Sequence, residues 1–128
     1  MARFTIQALP TRDLVHITLS GFFELQDVAR FDAARPGAYG ELRCARGEHL
    51  TLCDTSEMKI QSQDVVTAFG KVAADPRFTS RRLAFVVGAS LARMQARRVT
   101  DRDSVAHFND LVSAEAWLFA PSERSRVS

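Results

Sequence analysis

The chain has 128 residues, of which 46% are hydrophobic and 25% charged, with 17 basic against 15 acidic side chains. This composition excludes an intrinsically disordered protein, and no apolar run approaches the roughly 20 residues that a transmembrane helix needs. A chain of this length is expected to bury one hydrophobic core. We therefore predict one domain over residues 1–120, followed by a polar tail over residues 121–128.

The basic charge is concentrated in one segment of the chain. Fifteen of the 17 basic residues are Arg, and seven of these lie between Arg77 and Arg102, where Asp101 is the one acidic residue. That segment has a net charge of +6, whereas the whole chain has +2. The first residues show no basic stretch followed by an apolar run, so no secretory signal is recognised. We expect a cytoplasmic protein, with peripheral attachment to a membrane left open.

The first predicted elements are a β-hairpin and a helix. Apolar residues alternate with polar ones over residues 4–8, which is typical of a half-buried strand, and residues 10–13 are predicted to form a turn. The β-branched run 14–19 should return antiparallel to the first strand. A helix is then predicted from Leu25, and Pro36-Gly37 should interrupt or end it. Its core-facing residues are predicted to be Leu25, Val28, Ala29 and Phe31.

Strands and helices alternate in the rest of the chain. A strand over residues 49–53 is expected to enter a polar loop at 54–57, and Ser62 is suited to cap a helix that ends at Asp75-Pro76. The run 83–87 is the most strand-like, and a helix containing Leu91, Met94 and Ala96 should follow it. A weaker strand over residues 104–107 leads to a last helix over residues 110–119. The inner face of that helix is predicted to carry Leu111, Ala114, Trp117 and Leu118.

The predicted order of elements is therefore β-β-α-β-α-β-α-β-α. A hairpin followed by alternating strands and helices is typical of an α/β fold whose sheet is mixed and mostly parallel. One edge strand of this sheet should be antiparallel, and helices should flank the sheet.

Three stretches of the chain share features with a known family. Ser20-Gly21 ends the second predicted strand, and Glu24 stands where the family often has Asp. Residues 50–54 match a third strand that runs into its loop, and Phe108 with residues 114–118 (Ala-Glu-Ala-Trp-Leu) matches a C-terminal helix. In these features and in its order of elements, nearly the whole chain resembles the STAS domain, and in particular the SpoIIAA-like branch of anti-sigma-factor antagonists. The resemblance implies a regulatory module without enzymatic activity.

One departure from that family concerns phosphorylation. Phosphoregulated STAS proteins carry Asp-Ser-Ser/Thr-Gly at the start of the second helix, where this chain has Gln-Ser-Gln-Asp over residues 61–64. Gln63 falls at the phosphorylated position and Ser62 lies beside it. Because the leading Asp and the closing Gly are both absent, we predict that the standard kinase and phosphatase switch is absent. Phosphorylation of Ser56 or Ser62 stays open.

A candidate binding site follows from the strand order. Ligands of α/β proteins gather at the carboxyl ends of parallel strands, where helix N-termini offer unpaired amide donors. Here those ends are residues 54–63 and 88–90. The alternative is that Ser62 and Ser90 only cap helices and that the Arg residues are solvated. The candidate partner- or anion-binding residues are Glu24, Asp54, Thr55, Ser56, Met58, Ile60, Ser62, Gln63, Ser90, Arg93 and Arg97.

The sequence indicates no catalytic, metal or cofactor site. Ser90 lies in Gly-x-Ser-x-Ala, which approximates a nucleophile elbow but lacks its final Gly, and the chain is short for a hydrolase domain. Cys44 and Cys53 lack the spacing of a zinc or redox motif, and the three histidines are scattered. The two cysteines are interpreted as small apolar fillers, with a disulfide between them left open.

Two functional hypotheses follow. The leading one is a non-enzymatic STAS-like module that recognises a regulatory or acidic protein through the surface of residues 54–64 and 88–98. Met58 and Ile60 would then supply apolar contact, and Arg93 and Arg97 would steer the partner. The alternative is a carrier or sensor of a small anionic or lipid-like ligand, because the SpoIIAA-like branch resembles lipid-transfer domains in fold. Nucleic acid is not an expected partner, and a homodimer stays open.

Overall fold

The computed structural model describes residues 2–88 and 104–121, and these form a mixed five-stranded sheet with helices on both of its faces. Short 3₁₀ turns follow the first strand and the second helix, at Pro10–Arg12 and Pro76–Phe78. The strands are β1 (Arg3–Leu9), β2 (Leu14–Gly21), β3 (Leu50–Met58), β4 (Arg82–Val87) and β5 (Val105–Phe108), and the helices are α1 (Leu25–Tyr39), α2 (Gln63–Ala73) and α3 (Leu111–Leu118).

The spatial order of the strands is the same as their order in the chain. β1 pairs with β2 antiparallel through the predicted hairpin, whereas β2, β3, β4 and β5 run parallel to one another. Asp13 closes the hairpin in the left-handed region with φ of 51°, a conformation that Asp tolerates. The predicted α/β class, with one antiparallel edge strand, is therefore confirmed.

Both faces of the sheet are apolar because alternate residues of each strand point to opposite sides. Val15, Ile17 and Cys53 pack toward α1 and α2, and Leu14 and Leu52 pack on the other face toward α3. The first core is the larger, and it is extended by half-buried residues of β1, β4 and α2. The candidate site described below lies within this first core.

Two predicted element boundaries are wrong. α1 continues through Pro36 to Tyr39, because Ala38 is buried and the Tyr39 ring packs against Phe78 with centroids 4.8 Å apart. These tertiary contacts hold the last turn despite the backbone hydrogen bond that proline cannot make. The loop predicted at residues 54–57 is part of β3, because Asp54 and Thr55 pair with β4 while Glu57 pairs with β2.

The core-facing predictions for the helices hold in part. In α1, Val28 and Phe31 are buried, but Leu25 is 54% exposed and Ala29 is also exposed. In α3, Ala114 and Leu118 are buried and Trp117 is half-buried, whereas Leu111 is exposed. The helical period is correct in both cases, but only tertiary packing decides how wide the buried stripe becomes. The helix predicted around Leu91, Met94 and Ala96 lies outside the described residues.

Among the described residues, the structure contains no helix that is both long enough and apolar enough to cross a membrane. Residues 122–128, most of the predicted polar tail, lie outside the described part of the chain.

Candidate functional site

A cavity of about 130 Å³ lies between the sheet and the layer formed by α1 and α2. Its floor consists of side chains of β2, β3 and β4 that point to this face, and its roof consists of side chains of the two helices. Most of the wall is apolar. The apolar lining includes Ile17, Leu19, Cys53, Val66, Phe69 and Phe85.

The walls of the cavity differ in how far they are buried. The lining residues of β2, and those of β3 up to Thr55, are buried. Phe69 and Val72 of α2 and Leu83 and Phe85 of β4 are half-buried. The side of the cavity nearest to solvent therefore lies between α2 and β4. Lys59, which follows β3, is an exposed lining residue.

A buried arginine lies at one end of the cavity. The Arg35 side chain is only 6% exposed, and its Nη2 is 2.5 Å from Asp32 Oδ1 and 3.6 Å from Asp75 Oδ2. The guanidinium group also lies over the Phe78 ring, 4.3 Å from its centroid. Two carboxylates and an aromatic face therefore compensate the removal of this charge from water.

The helical period explains why an arginine points inward here. Phe31, Arg35 and Tyr39 are four residues apart on α1, so all three lie on one face of the helix, and all three line the cavity. Arg35 was not predicted as a site residue. The pattern that indicates it is a charged residue placed four positions from an aromatic residue on either side, on the same face of the helix.

The segment that follows α2 covers this end of the cavity. Asp75 caps the 3₁₀ turn and accepts a hydrogen bond of 2.8 Å from Arg77 Nη2. The Phe78 ring contacts two guanidinium groups. That of Arg77 lies 5.0 Å from the ring centroid, and that of Arg35 lies 4.3 Å from it. The segment is therefore fastened to α1 by the Arg35–Asp75 ion pair and by the contacts of the Phe78 ring with Arg35 and Tyr39.

Asp75 makes the stability of the fold depend on acid pH. The Arg77 side chain and the Arg77 backbone N–H lower the pKa of Asp75 from 3.8 to about 2. A lowered pKa means that this stabilisation is complete above about pH 4 and is lost as the pH falls toward 2. We expect Asp75→Asn to flatten the fall in Tm over this range, measured by circular dichroism. Asp64→Asn, in the exposed first turn of α2, is the control, and an unchanged fall in Asp75→Asn would contradict the prediction.

A second buried polar group, Gln61, joins the ends of β2 and β3. Its Oε1 accepts a hydrogen bond of 2.7 Å from the Phe23 backbone N–H, and its Nε2 donates to the Gly21 and Lys59 carbonyl oxygens. The sequence analysis singled out Gln63 instead. Gln63 is exposed, and its Nε2 lies 3.4 Å from Thr67 Oγ1. The two glutamines cannot be distinguished by sequence pattern, because the difference arises from contacts with a strand 40 residues away.

The predicted hydroxyl and carboxylate residues have local partners. Asp54 Oδ1 accepts hydrogen bonds from the Ser56 backbone N–H and hydroxyl, at 3.0 and 2.7 Å. Thr55 is buried and donates to the Val86 carbonyl oxygen at 2.8 Å. Ser62 caps α2 by accepting from the Val65 N–H, as the alternative interpretation of that residue predicted. These hydrogen bonds within the protein explain the positions of these side chains, and no ligand is needed to satisfy them.

The remaining predicted residues that the structure describes lie in different places. Glu24 caps α1, where its backbone N–H donates to Asp27 Oδ2 at 2.9 Å. Met58 lines the cavity, whereas Ile60 is 49% exposed. Ser90, Arg93 and Arg97 lie outside the described residues. The described members of the predicted site are therefore divided between the cavity and the surface.

The carboxyl ends of β3 and β4 are adjacent, as the site hypothesis required. Thr55 pairs with Val87, and a Cβ atom added to Gly88 would lie 2.6 Å from the Ser56 carbonyl oxygen. Only glycine fits such a close approach of two backbones. The start of the Gly-x-Ser-x-Ala motif is thus explained by strand packing.

Exposed apolar side chains lie around the Gln61 hydrogen bonds. Phe22 and Ile60 are 46% and 49% exposed. Each is next in sequence to a residue whose backbone hydrogen-bonds to the Gln61 side chain. Leu25, at the start of α1, is also exposed. We call Phe22, Leu25 and Ile60 the apolar edge.

Neither cysteine forms a disulfide, which settles the pairing that the sequence left open. Burial raises the pKa of the Cys53 thiol to about 12, so this cavity-lining group stays protonated at neutral pH. Burial also lowers the pKa of His49, and the described residues contain no cluster of three or more potential metal ligands.

Comparison with known proteins identifies the fold. No known protein family and no curated protein matches the sequence. Among solved structures, the chain is similar to an uncharacterized protein of the DUF3478 family from Shewanella loihica PV-4, which has a SpoIIAA-like fold. The match has a TM-score of 0.68 and 18% sequence identity, and it covers 92% of this chain and 95% of the other. At this identity the likeness shows the fold, and the predicted resemblance to SpoIIAA-like STAS domains is confirmed at that level.

Proposed function

We propose that this chain, whose fold is SpoIIAA-like, is a non-catalytic binding module that takes up a small, largely apolar molecule in the cavity under α1 and α2. The observation that carries the proposal is the cavity itself, about 130 Å³ in volume and lined mainly by apolar side chains. An apolar cavity of roughly 150 Å³ is large enough to bind benzene. A ring or a short alkyl chain therefore fits.

The size of the cavity argues against an ordinary packing defect. Protein interiors are close-packed, and voids larger than a water molecule are few. Larger side chains at Cys53, Val66 or Val72 would fill this space. A small apolar ligand that enters it removes its own apolar surface from water, which supports a binding role.

A catalytic role receives no support from the lining residues. The Cys53 thiol is buried and protonated, and the Thr55 hydroxyl donates to a backbone carbonyl oxygen. Neither group is therefore activated as a nucleophile. These contacts are compatible with a carrier or sensor, the class of the second hypothesis from the sequence, which placed an anionic or lipid-like ligand at the ends of β3 and β4.

Toluene is a suitable probe, because it is ring-sized and has no polar group. We expect it to bind the full chain and to raise the free energy of unfolding by about 1.4 kcal/mol at ten times its Kd. Val72→Phe places a larger ring in the cavity and should abolish binding. Val112→Phe is the matched control, since Val112 is 79% exposed on α3. Binding is measured by amide shifts in NMR spectra and by thermal unfolding.

Two results would contradict the proposal. One is the absence of toluene-dependent shifts at residues that line the cavity, and the other is equal binding by Val72→Phe and Val112→Phe. If Val72→Phe fails to fold, Cys53→Leu fills the same space from the sheet side and replaces it in the comparison.

A second candidate function is recognition of a protein partner, supported by the apolar edge of Phe22, Leu25 and Ile60. Large exposed apolar side chains of this kind suit an interaction surface. In this case one defined protein should co-purify with the wild-type chain and with Val112→Asp, but not with Ile60→Asp. Equal recovery with both variants would contradict this second function.

A further inference from the structure

The cavity contains a buried hydroxyl group that lies against another hydroxyl. Thr51 of β3 is 3% exposed, and its Oγ1 makes no well-aligned hydrogen bond among the described residues, although it approaches the Tyr39 hydroxyl. A buried hydroxyl without a well-aligned hydrogen bond is unfavourable and needs an explanation. Thr55 lies on the same face of β3, yet its Oγ1 donates to the Val86 carbonyl oxygen. The hydroxyl without a well-aligned hydrogen bond thus lies at the Thr51 end of the cavity.

A second hydroxyl lies beside the first. Tyr39 of α1 also lines the cavity, and its ring is held edge-on by His49 and Phe78, with centroids 5.2 and 4.8 Å apart. Burial raises the pKa of the Tyr39 phenol, while the neighbouring Thr51 side chain opposes that shift. The phenol therefore stays protonated at neutral pH. Both hydroxyls can donate and accept hydrogen bonds.

The charges at this end of the cavity do not suit an anion. Arg35 is the buried cation among the described lining residues, but Asp32 and Asp75 both lie against its guanidinium group. Arg77 also pairs with Asp75, so these four groups together carry no net charge and leave no excess positive charge for an anion. A carboxylate or phosphate placed here would be desolvated beside two carboxylates, which is unfavourable. A neutral polar group has no such penalty.

The opposite end of the cavity has different chemistry. Four residues of β3 separate Thr51 from Thr55, a rise of about 13 Å along the strand. Beyond them lie half-buried Met58 and exposed Lys59. Between the two ends the lining is apolar, including Cys53, Phe69 and Phe85. An elongated molecule with one polar end would match this distribution of groups.

We propose that the cavity binds a neutral amphipathic molecule, an aliphatic or aromatic body with one hydroxyl or carbonyl group that hydrogen-bonds to Thr51 and Tyr39. This inference rests on the proposed binding function and adds the chemical class of the ligand. It favours a neutral ligand over the anionic one that the arginine-rich sequence suggests.

Three probes of similar size test the inference on the full chain at pH 7, with titration followed by NMR. Octan-1-ol has a neutral hydroxyl, octanoate has the same chain length with an anionic end, and toluene has no polar group. We expect octan-1-ol to bind at least about tenfold more tightly than octanoate. The two hydroxyl groups of the site can hydrogen-bond to the alcohol, whereas the nearby carboxylates disfavour burial of an anion. Thr51→Val should weaken octan-1-ol about fivefold and leave toluene unchanged.

Controls separate this inference from the proposed function. Thr67→Val changes an exposed threonine of α2 away from the cavity and should leave all three affinities unchanged. Tyr39→Phe keeps the ring contacts and removes only the hydroxyl, so it serves if Thr51→Val fails to fold. Binding of toluene without a preference for octan-1-ol would overturn the inference alone. Tighter binding of octanoate, lost in Lys59→Gln, would overturn it in favour of an anionic ligand. Failure of all three probes would overturn the proposed function as well.

Discussion

Phe23→Ala is expected to lower the free energy of unfolding by about 4 kcal/mol, because it removes a large side chain from a fully enclosed position. Phe23 is 0% exposed, and its ring packs edge-on against Phe69 with centroids 5.4 Å apart. The lost aromatic contact adds to the lost burial and to the cavity left behind. Urea unfolding followed by circular dichroism measures the change. A domain of this kind has roughly 5–15 kcal/mol of stability in total, so the loss is large.

The neighbouring residue provides a matched control. Phe22 has the same side chain, one position earlier in the chain, but it is 46% exposed. Phe22→Ala should therefore cost less than about 1 kcal/mol. Similar losses in the two variants would contradict the assignment of Phe23 to the core and Phe22 to the apolar edge.

Arg35→Met is expected to lower the free energy of unfolding by about 2 kcal/mol, because it removes the buried hydrogen bonds to Asp32 and the ion pair with Asp75. The Asp75 carboxylate keeps its contact with Arg77, which limits the loss. The side chain is 6% exposed, contacts Asp32 and Asp75, and lies on the Phe78 ring. Methionine keeps much of the apolar stem, so the loss reports mainly on the charge and its hydrogen bonds. Equilibrium unfolding in urea at pH 7 measures it.

Arg30 gives the comparison for an exposed ion pair. Arg30 pairs with Asp27 three residues earlier on α1, just as Arg35 pairs with Asp32, but its side chain is 68% exposed. Arg30→Met should cost at most about 1 kcal/mol, because the exposed guanidinium group is solvated and the half-buried Asp27 carboxylate keeps its hydrogen bond from the Glu24 N–H. If Arg35→Met cost no more than Arg30→Met, the Arg35 cluster would not fasten the segment after α2 to α1.

The strands and helices could largely be predicted because their signals are local. Alternation over residues 4–8, the run 83–87 and the cap at Ser62 each depend on a few consecutive residues. The errors occur where distant contacts override those signals. β3 keeps polar Asp54 and Glu57 extended because two neighbouring strands pair with them, and α1 passes Pro36 because Tyr39 packs against Phe78.

The candidate site could be predicted less well. Thr55 and Met58, which the sequence suggested as partner- or anion-binding residues, line the cavity, but Arg35, Tyr39 and Thr51 were not predicted. The rule that ligands bind at the carboxyl ends of strands favours exposed loops. The cavity lies instead within the core, between layers that each look like ordinary amphipathic elements.

The amino-acid sequence by itself determined the order of the strands and helices and hence the α/β class, because residue spacing of two or about 3.6 is a local property. It also made both faces of the central strands apolar, which required a helix layer on each side. Only the tertiary structure decided that Arg35, Thr51 and Phe78 line one cavity. Their meeting depends on how closely the α1–α2 layer approaches the sheet, and this distance is set by the packing of many side chains together.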